Sequence, residues 1–74
     1  MKKVYVFQYD EIYCYSTVRK MVEYAQKTCP DYVFEGLALK DWKTPKLITY
    51  INNEGYLSAY DGEDAITLET VEVQ

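Results

Sequence analysis

The side chains of this chain that could carry chemistry are two cysteines, twelve carboxylates and nine tyrosines, and there is no histidine. Histidine-based triads are therefore excluded, and any acid–base work would fall to other groups. Cys14 stands just before a predicted helix start, a position that can favour a thiolate. No partner base lies at a fixed spacing from it. About a dozen residues of predicted helix separate Cys14 from Cys29, ~18 Å at ~1.5 Å per residue. A disulfide spans at most ~7 Å between Cα atoms, so two buried, reduced thiols are expected. Two cysteines without histidine also leave a tetrahedral zinc site short of ligands. Gly36, Gly55 and Gly62 are too scattered for a phosphate-cradling loop. The acid pairs Asp10-Glu11 and Glu63-Asp64 are sequence neighbours, which on a strand face opposite ways. Asp61-Gly62-Glu63-Asp64 has the oxygen density of a calcium loop but not the EF-hand spacing, and reads as a solvated turn. The expectation is a protein without catalytic residues, metal or cofactor.

Charge is the strongest asymmetry. All eight bases lie at or before Lys46, together with six acids, a local balance of +2. The remaining 28 residues carry six acids and no base, or −6, which gives the net −4. A summed field of this kind steers association and says little about fold. Direct nucleic-acid binding is disfavoured, because phosphate contacts need a basic track.

Seventy-four residues make one domain, 1–74, near the lower size limit for independent folding. An apolar fraction of 49% supports a real core, and nine Tyr are more than such a core can hide. Some rings should therefore lie on the surface as contact residues. The start Met1-Lys2-Lys3 is followed by a run too short and polar for a signal peptide. No stretch approaches the ~20 apolar residues of a membrane span. The chain reads as soluble and cytoplasmic.

The elements that must position these groups read as follows. Lys3–Tyr9 is a strand with Val4 and Val6 on one face and Tyr5, Phe7 and Tyr9 on the other, which suits a central strand or a flat binding face. Ile12–Tyr15 is left open between a continuation and a hairpin arm. Ser16 or Thr17 caps a helix whose Val18, Met21, Val22 and Ala25 form the buried stripe, with Arg19, Lys20, Glu23, Gln26 and Lys27 on the other side. Cys29-Pro30 ends it. Tyr32–Leu39 reads as a strand with Gly36 as a bulge, Lys40–Lys46 as a polar loop around Trp42, and Leu47–Ile51 as a strand. Asn52–Gly55 is a turn, Tyr56–Tyr60 a strand, and Ala65–Val73 the last strand. Ile66 and Leu68 are out of step there with Val71 and Val73, so an extra residue near Glu69-Thr70 is expected. The fold class is α+β, approximately β-α-β-β-β-β, one helix on an antiparallel-rich sheet with a C-terminal three-stranded meander.

On that meander, Glu54, Asp61, Glu63, Asp64, Glu69 and Glu72 would present a row of carboxylates on a strand edge. Same-face residues repeat at ~6.7 Å, close to the spacing of phosphates. Tyr56 and Tyr60 would add the desolvated contact. The expected role is a non-enzymatic binding module, an inhibitor that docks this acidic, Tyr-rich surface onto a basic protein surface, such as that of a nucleic-acid-binding protein. Self-association through the aromatic strand faces, as a homodimer or assembly subunit, is the alternative. In size, acidity and aromatic content the whole chain is similar to the small inhibitors made by bacterial viruses, including DNA mimics and CRISPR blockers. That resemblance is one of profile and assigns no residue.

Overall fold

A computed structural model describes residues 2–73. Two strands rich in β-branched and aromatic residues form an N-terminal hairpin, β1 (Lys2–Gln8) and β2 (Ile12–Tyr15). The next elements are α1 (Val18–Thr28), the short strands β3 (Val33–Phe34) and β4 (Leu37–Ala38), a 3-10 turn at Leu39–Asp41, α2 (Thr44–Glu54), β5 (Tyr56–Tyr60) and β6 (Ala65–Val73). The strands form one six-stranded sheet in the order β2-β1-β6-β5-β3-β4, with every pairing antiparallel. The α+β class stands, with two helices rather than one.

The helix α1 is the one its sequence spells out. The Thr17 hydroxyl accepts from the Lys20 amide at 3.2 Å and supplies the N-cap. Met21, Val22 and Ala25 are buried, and the Cys29 amide closes the last turn on the Ala25 carbonyl at 2.8 Å. Gln26 does not face solvent as its polarity suggested. Its side-chain amide donates to the carbonyls of Leu39 and Trp42, both at 2.9 Å, and its oxygen accepts from the Thr44 hydroxyl at 2.7 Å. It ties α1 to the start of α2.

The expected strand at Leu47–Ile51 is instead the middle of α2. Leu47 and Ile51, one helical turn apart, are both buried. Pro45 occupies the first turn, where its missing N–H costs nothing. Gly55 stops the helix at φ 87°, and its amide reaches the Ile51 carbonyl at 2.8 Å. The β-propensity of Leu-Ile-Thr-Tyr-Ile is overridden by these end signals and by burial of the two-residue stripe. The Tyr32–Leu39 segment also differs from expectation. Gly36 is no bulge: Glu35 and Gly36 at φ 52° and 78° form the tight turn of a small hairpin.

The third correction concerns β6. Its register against β1 runs unbroken from Lys2↔Val73 to Gln8↔Thr67, and against β5 from Tyr56↔Glu69 to Tyr60↔Ala65. No bulge shifts Val71 and Val73 inward, so they stay on the face opposite Ile66 and Leu68. The strand is also interior, between β1 and β5, so the meander is only the β5–β6 hairpin.

Both helices cover the same face of the sheet. Phe7, Phe34, Leu57, Ala59, Ile66 and Leu68 from the strands meet Met21, Val22 and Ala25 of α1 and Leu47 and Ile51 of α2 in one cluster. Trp42 closes its rim. Its indole N–H donates to the Phe34 and Leu37 carbonyls at 3.1 Å, and its ring lies 5.4 Å from Phe34. Tyr13, Tyr15 and Tyr24 line the opposite rim, with Tyr24 within 6 Å of both other rings.

Candidate functional site

Strand alternation and the pairing register define what the helices leave uncovered. The open face carries Ile12 and Cys14 of β2, Val4 and Val6 of β1, Thr67, Glu69, Val71 and Val73 of β6, Tyr56, Ser58 and Tyr60 of β5, and Val33 of β3. Six of the large exposed apolar side chains among the described residues lie here, with Ile12 at 68%, Tyr60 at 59% and Tyr56 at 56% exposure. Five strands at ~4.8 Å and the length of β6 at ~3.3 Å per residue make a footprint on the order of 500 Å². Thr67, Ser58 and Glu69 interrupt the apolar side chains within that footprint, whose extent is that of the largest surface patch on a typical monomer.

The acids that were expected to form one row are dispersed over three places. Asp61, Glu63 and Asp64 occupy the β5–β6 turn. The β1–β2 turn, with Asp10 and Glu11, lies at the same end of the sheet, because Gln8 pairs with both Ile12 and Thr67. Tyr9, Asp10, Asp64 and Ala65 line a shallow cleft of about 260 Å³ there. Glu54 and Glu72 lie at the opposite end, around another cleft of about 260 Å³ that Lys3 also lines. Lys3 sits directly across from Glu72. Glu69 stands alone on the open face. The continuous carboxylate row therefore does not exist: Glu69 and Glu72 point to opposite faces, since no bulge brings them into phase. Of the expected residues, Tyr56, Tyr60 and Glu69 share the open face, and Asp61, Glu63 and Asp64 form its rim.

Within the rim, Asp61 has a structural duty. Its carboxylate accepts from the amides of Glu63 at 2.9 Å and Asp64 at 2.7 Å, and these bonds hold its pKa below the ordinary carboxylate value. Burial and the neighbouring Asp61 carboxylate push the Tyr32 hydroxyl up to about 12. Tyr13 donates to Asp10 at 2.9 Å, and that bond raises it to about 12 as well. Both turns are thus braced, which leaves Glu63, Asp64 and Glu11 as the solvated charges.

The two thiols part company. Cys29 is buried and its pKa is raised by burial. Cys14, expected to be buried, is exposed on the open face beside Val6. It lies within β2 and not at the helix start. Among the described residues no group of three or more His, Cys, Asp or Glu is arranged to hold a metal ion. No helix of the described residues is long and apolar enough to cross a membrane.

Sequence reasoning missed Ile12, Val33, Val71 and Val73 as surface residues. The signal was available only at β6, where Val71 and Val73 fall out of phase with Ile66 and Leu68, a parity break that has two solutions: a bulge, or an apolar outer face. Comparison with family models, with curated proteins and with solved structures finds no match for this chain.

Proposed function

We propose that the protein is a non-catalytic binding module that docks a partner protein on the uncovered face of its sheet, with the acidic turns as a steering rim. The observation that carries this reading is the open face itself. An antiparallel sheet can leave a polar face to water, but an apolar face calls for a covering layer, and among the described residues nothing covers the six large apolar side chains exposed here. The footprint on the order of 500 Å² falls somewhat short of the ~800 Å² per partner of a standard interface. The flanking turns, with Asp10, Glu11, Asp61, Glu63 and Asp64, extend it.

Partner chemistry follows from that rim. A basic surface, of the type nucleic-acid-binding proteins carry, would be drawn to it by charge and held by the apolar centre. Occupying such a surface blocks it, which is the inhibitory role. The carboxylates do not follow a phosphate-like row, so the reading rests on apolar area bordered by charge and not on mimicry of a nucleic-acid strand.

The test is affinity capture from the native lysate with three proteins: the wild type, Tyr56→Ser with Tyr60→Ser on the open face, and Lys20→Ser with Asn52→Ser on the helix layer. A specific partner is retained by the wild type and the helix-layer variant and lost by the open-face variant. Raised salt slows its association more than it weakens the formed complex. Retention by the open-face variant, with loss by the helix-layer one, would move the binding surface to the helices and end this proposal.

A further inference from the structure

One row across the open face runs Tyr56, Glu69, Val6, Cys14, as the three registers align them. Glu69 lies near the middle of the face, between a tyrosine ring and a valine, with Thr67 and Val71 as its same-face neighbours along β6. It is half-buried, the sole acid on the strands of this face, and it makes no ion pair among the described residues. Among the described residues the one cation on the face, Lys2, sits opposite Val73, four residues along β6 from Glu69 and therefore ~13 Å away.

We infer that the partner segment seated on this face delivers an arginine onto Glu69 from apolar surroundings, its guanidinium held between the Glu69 carboxylate and the Tyr56 ring. This rests on the docking reading above and names the chemistry of the occupant. Any cover that seats apolar groups on Val6, Val71 and Tyr56 also strips water from Glu69. A carboxylate desolvated without a partner opposes such a cover, so the cover must bring a cation. A guanidinium suits the place better than an ammonium. It is planar, weakly hydrated, bidentate towards carboxylate and able to stack on tyrosine.

A second copy of the chain is a poor occupant. Two sheets stacked ~10 Å apart about the centre of this face bring two Glu69 carboxylates together in a dry layer. Sliding the copies until Lys2 of one covers Glu69 of the other moves the two-fold axis towards Val71. Tyr60, Val33 and Ile12 at the other end then stay uncovered. The lone carboxylate thus disfavours self-stacking and favours a basic partner with the same charge.

The experiment uses the whole protein with hexylguanidinium and its uncharged counterpart hexylurea as probes, followed by amide and carboxylate NMR shifts. Hexylguanidinium should move the resonances of Tyr56, Glu69 and Val6 and bind about tenfold more tightly than hexylurea. Glu69→Gln, which keeps the shape, should abolish that preference and leave hexylurea binding unchanged. Equal binding of the two probes at the open face would overturn the arginine inference while leaving a docking face. Shifts at Asp61 to Asp64 in place of Glu69 would do the same. No shift on the open face with either probe would overturn both readings. Sedimentation supplies the last arm. The wild type should be monomeric and Glu69→Val should self-associate, whereas a wild-type dimer that Lys2→Gln dissociates would give the face to a second copy and overturn the inference.

Discussion

Replacing Gln26 by Met keeps the volume of the side chain and removes its hydrogen bonds. Three are at stake: two donated to the carbonyls of Leu39 and Trp42 and one accepted from the Thr44 hydroxyl. Leu39 keeps a second donor, the Trp42 amide at 3.2 Å, so its carbonyl is not orphaned. The Trp42 carbonyl and the Thr44 hydroxyl lose the partner that Gln26 gave them. At ~1 kcal/mol for each part-buried bond, the loss is about 2–3 kcal/mol. For a domain of this size 1 kcal/mol moves Tm by ~4–8 °C, so Gln26→Met should lower it by roughly 10–20 °C. Calorimetry or far-UV circular dichroism measures this directly. Thr44→Val alone should cost about 1 kcal/mol, and combined with Gln26→Met should add little, because both remove the same bond. A Tm drop below about 4 °C for Gln26→Met, or full additivity of the pair, would refute the assignment of Gln26 as the link between the helices.

Two further expectations are simpler. Glu35 occupies the left-handed region at φ 52°, where asparagine is better accommodated, so Glu35→Asn should stabilise the β3–β4 hairpin by ~0.5–1 kcal/mol, read as a rise in Tm. Asp61, with its pKa lowered in the folded state by the Glu63 and Asp64 amides, contributes stability that is fully present above the ordinary value of 3.8 and is lost as the pH falls through its lower folded value. Asp61→Asn should therefore be less stable near neutrality and show a flatter acid limb in a denaturation series below about pH 5. An acid limb identical to the wild type would place the acid sensitivity in another carboxylate.

The elements with complete local signals were legible in the chain. Thr17, the Val18-Met21-Val22-Ala25 spacing and Pro30 fix α1 at both ends, and the hairpin from Tyr56 to Val73 follows from its turn residues and alternation. The middle was misread because Leu47–Ile51 satisfies strand propensity as well as helix spacing. The decisive residues, Pro45 and Gly55, act at its ends. The surplus of tyrosine pointed to rings on the surface, and Tyr56 and Tyr60 are exposed there. The acidic tail pointed to a row that the unbroken β6 register divides.

Composition and local pattern by themselves determined an α+β domain without histidine chemistry, a strong helix near the N-terminal strands and a C-terminal half rich in acids and tyrosine. Tertiary structure alone decided that β6 pairs with β1, a contact between the two ends of the chain that no local signal carries. That pairing makes β6 interior, closes the sheet to six strands and assigns every side chain on β1 and β6 to a face. Both helices then fall on one side, because the buried residues of α1 and α2 can meet only where Phe7, Leu57, Ile66 and Leu68 point. The valines left on the other side, and the lone Glu69 among them, become a surface only once that choice is made.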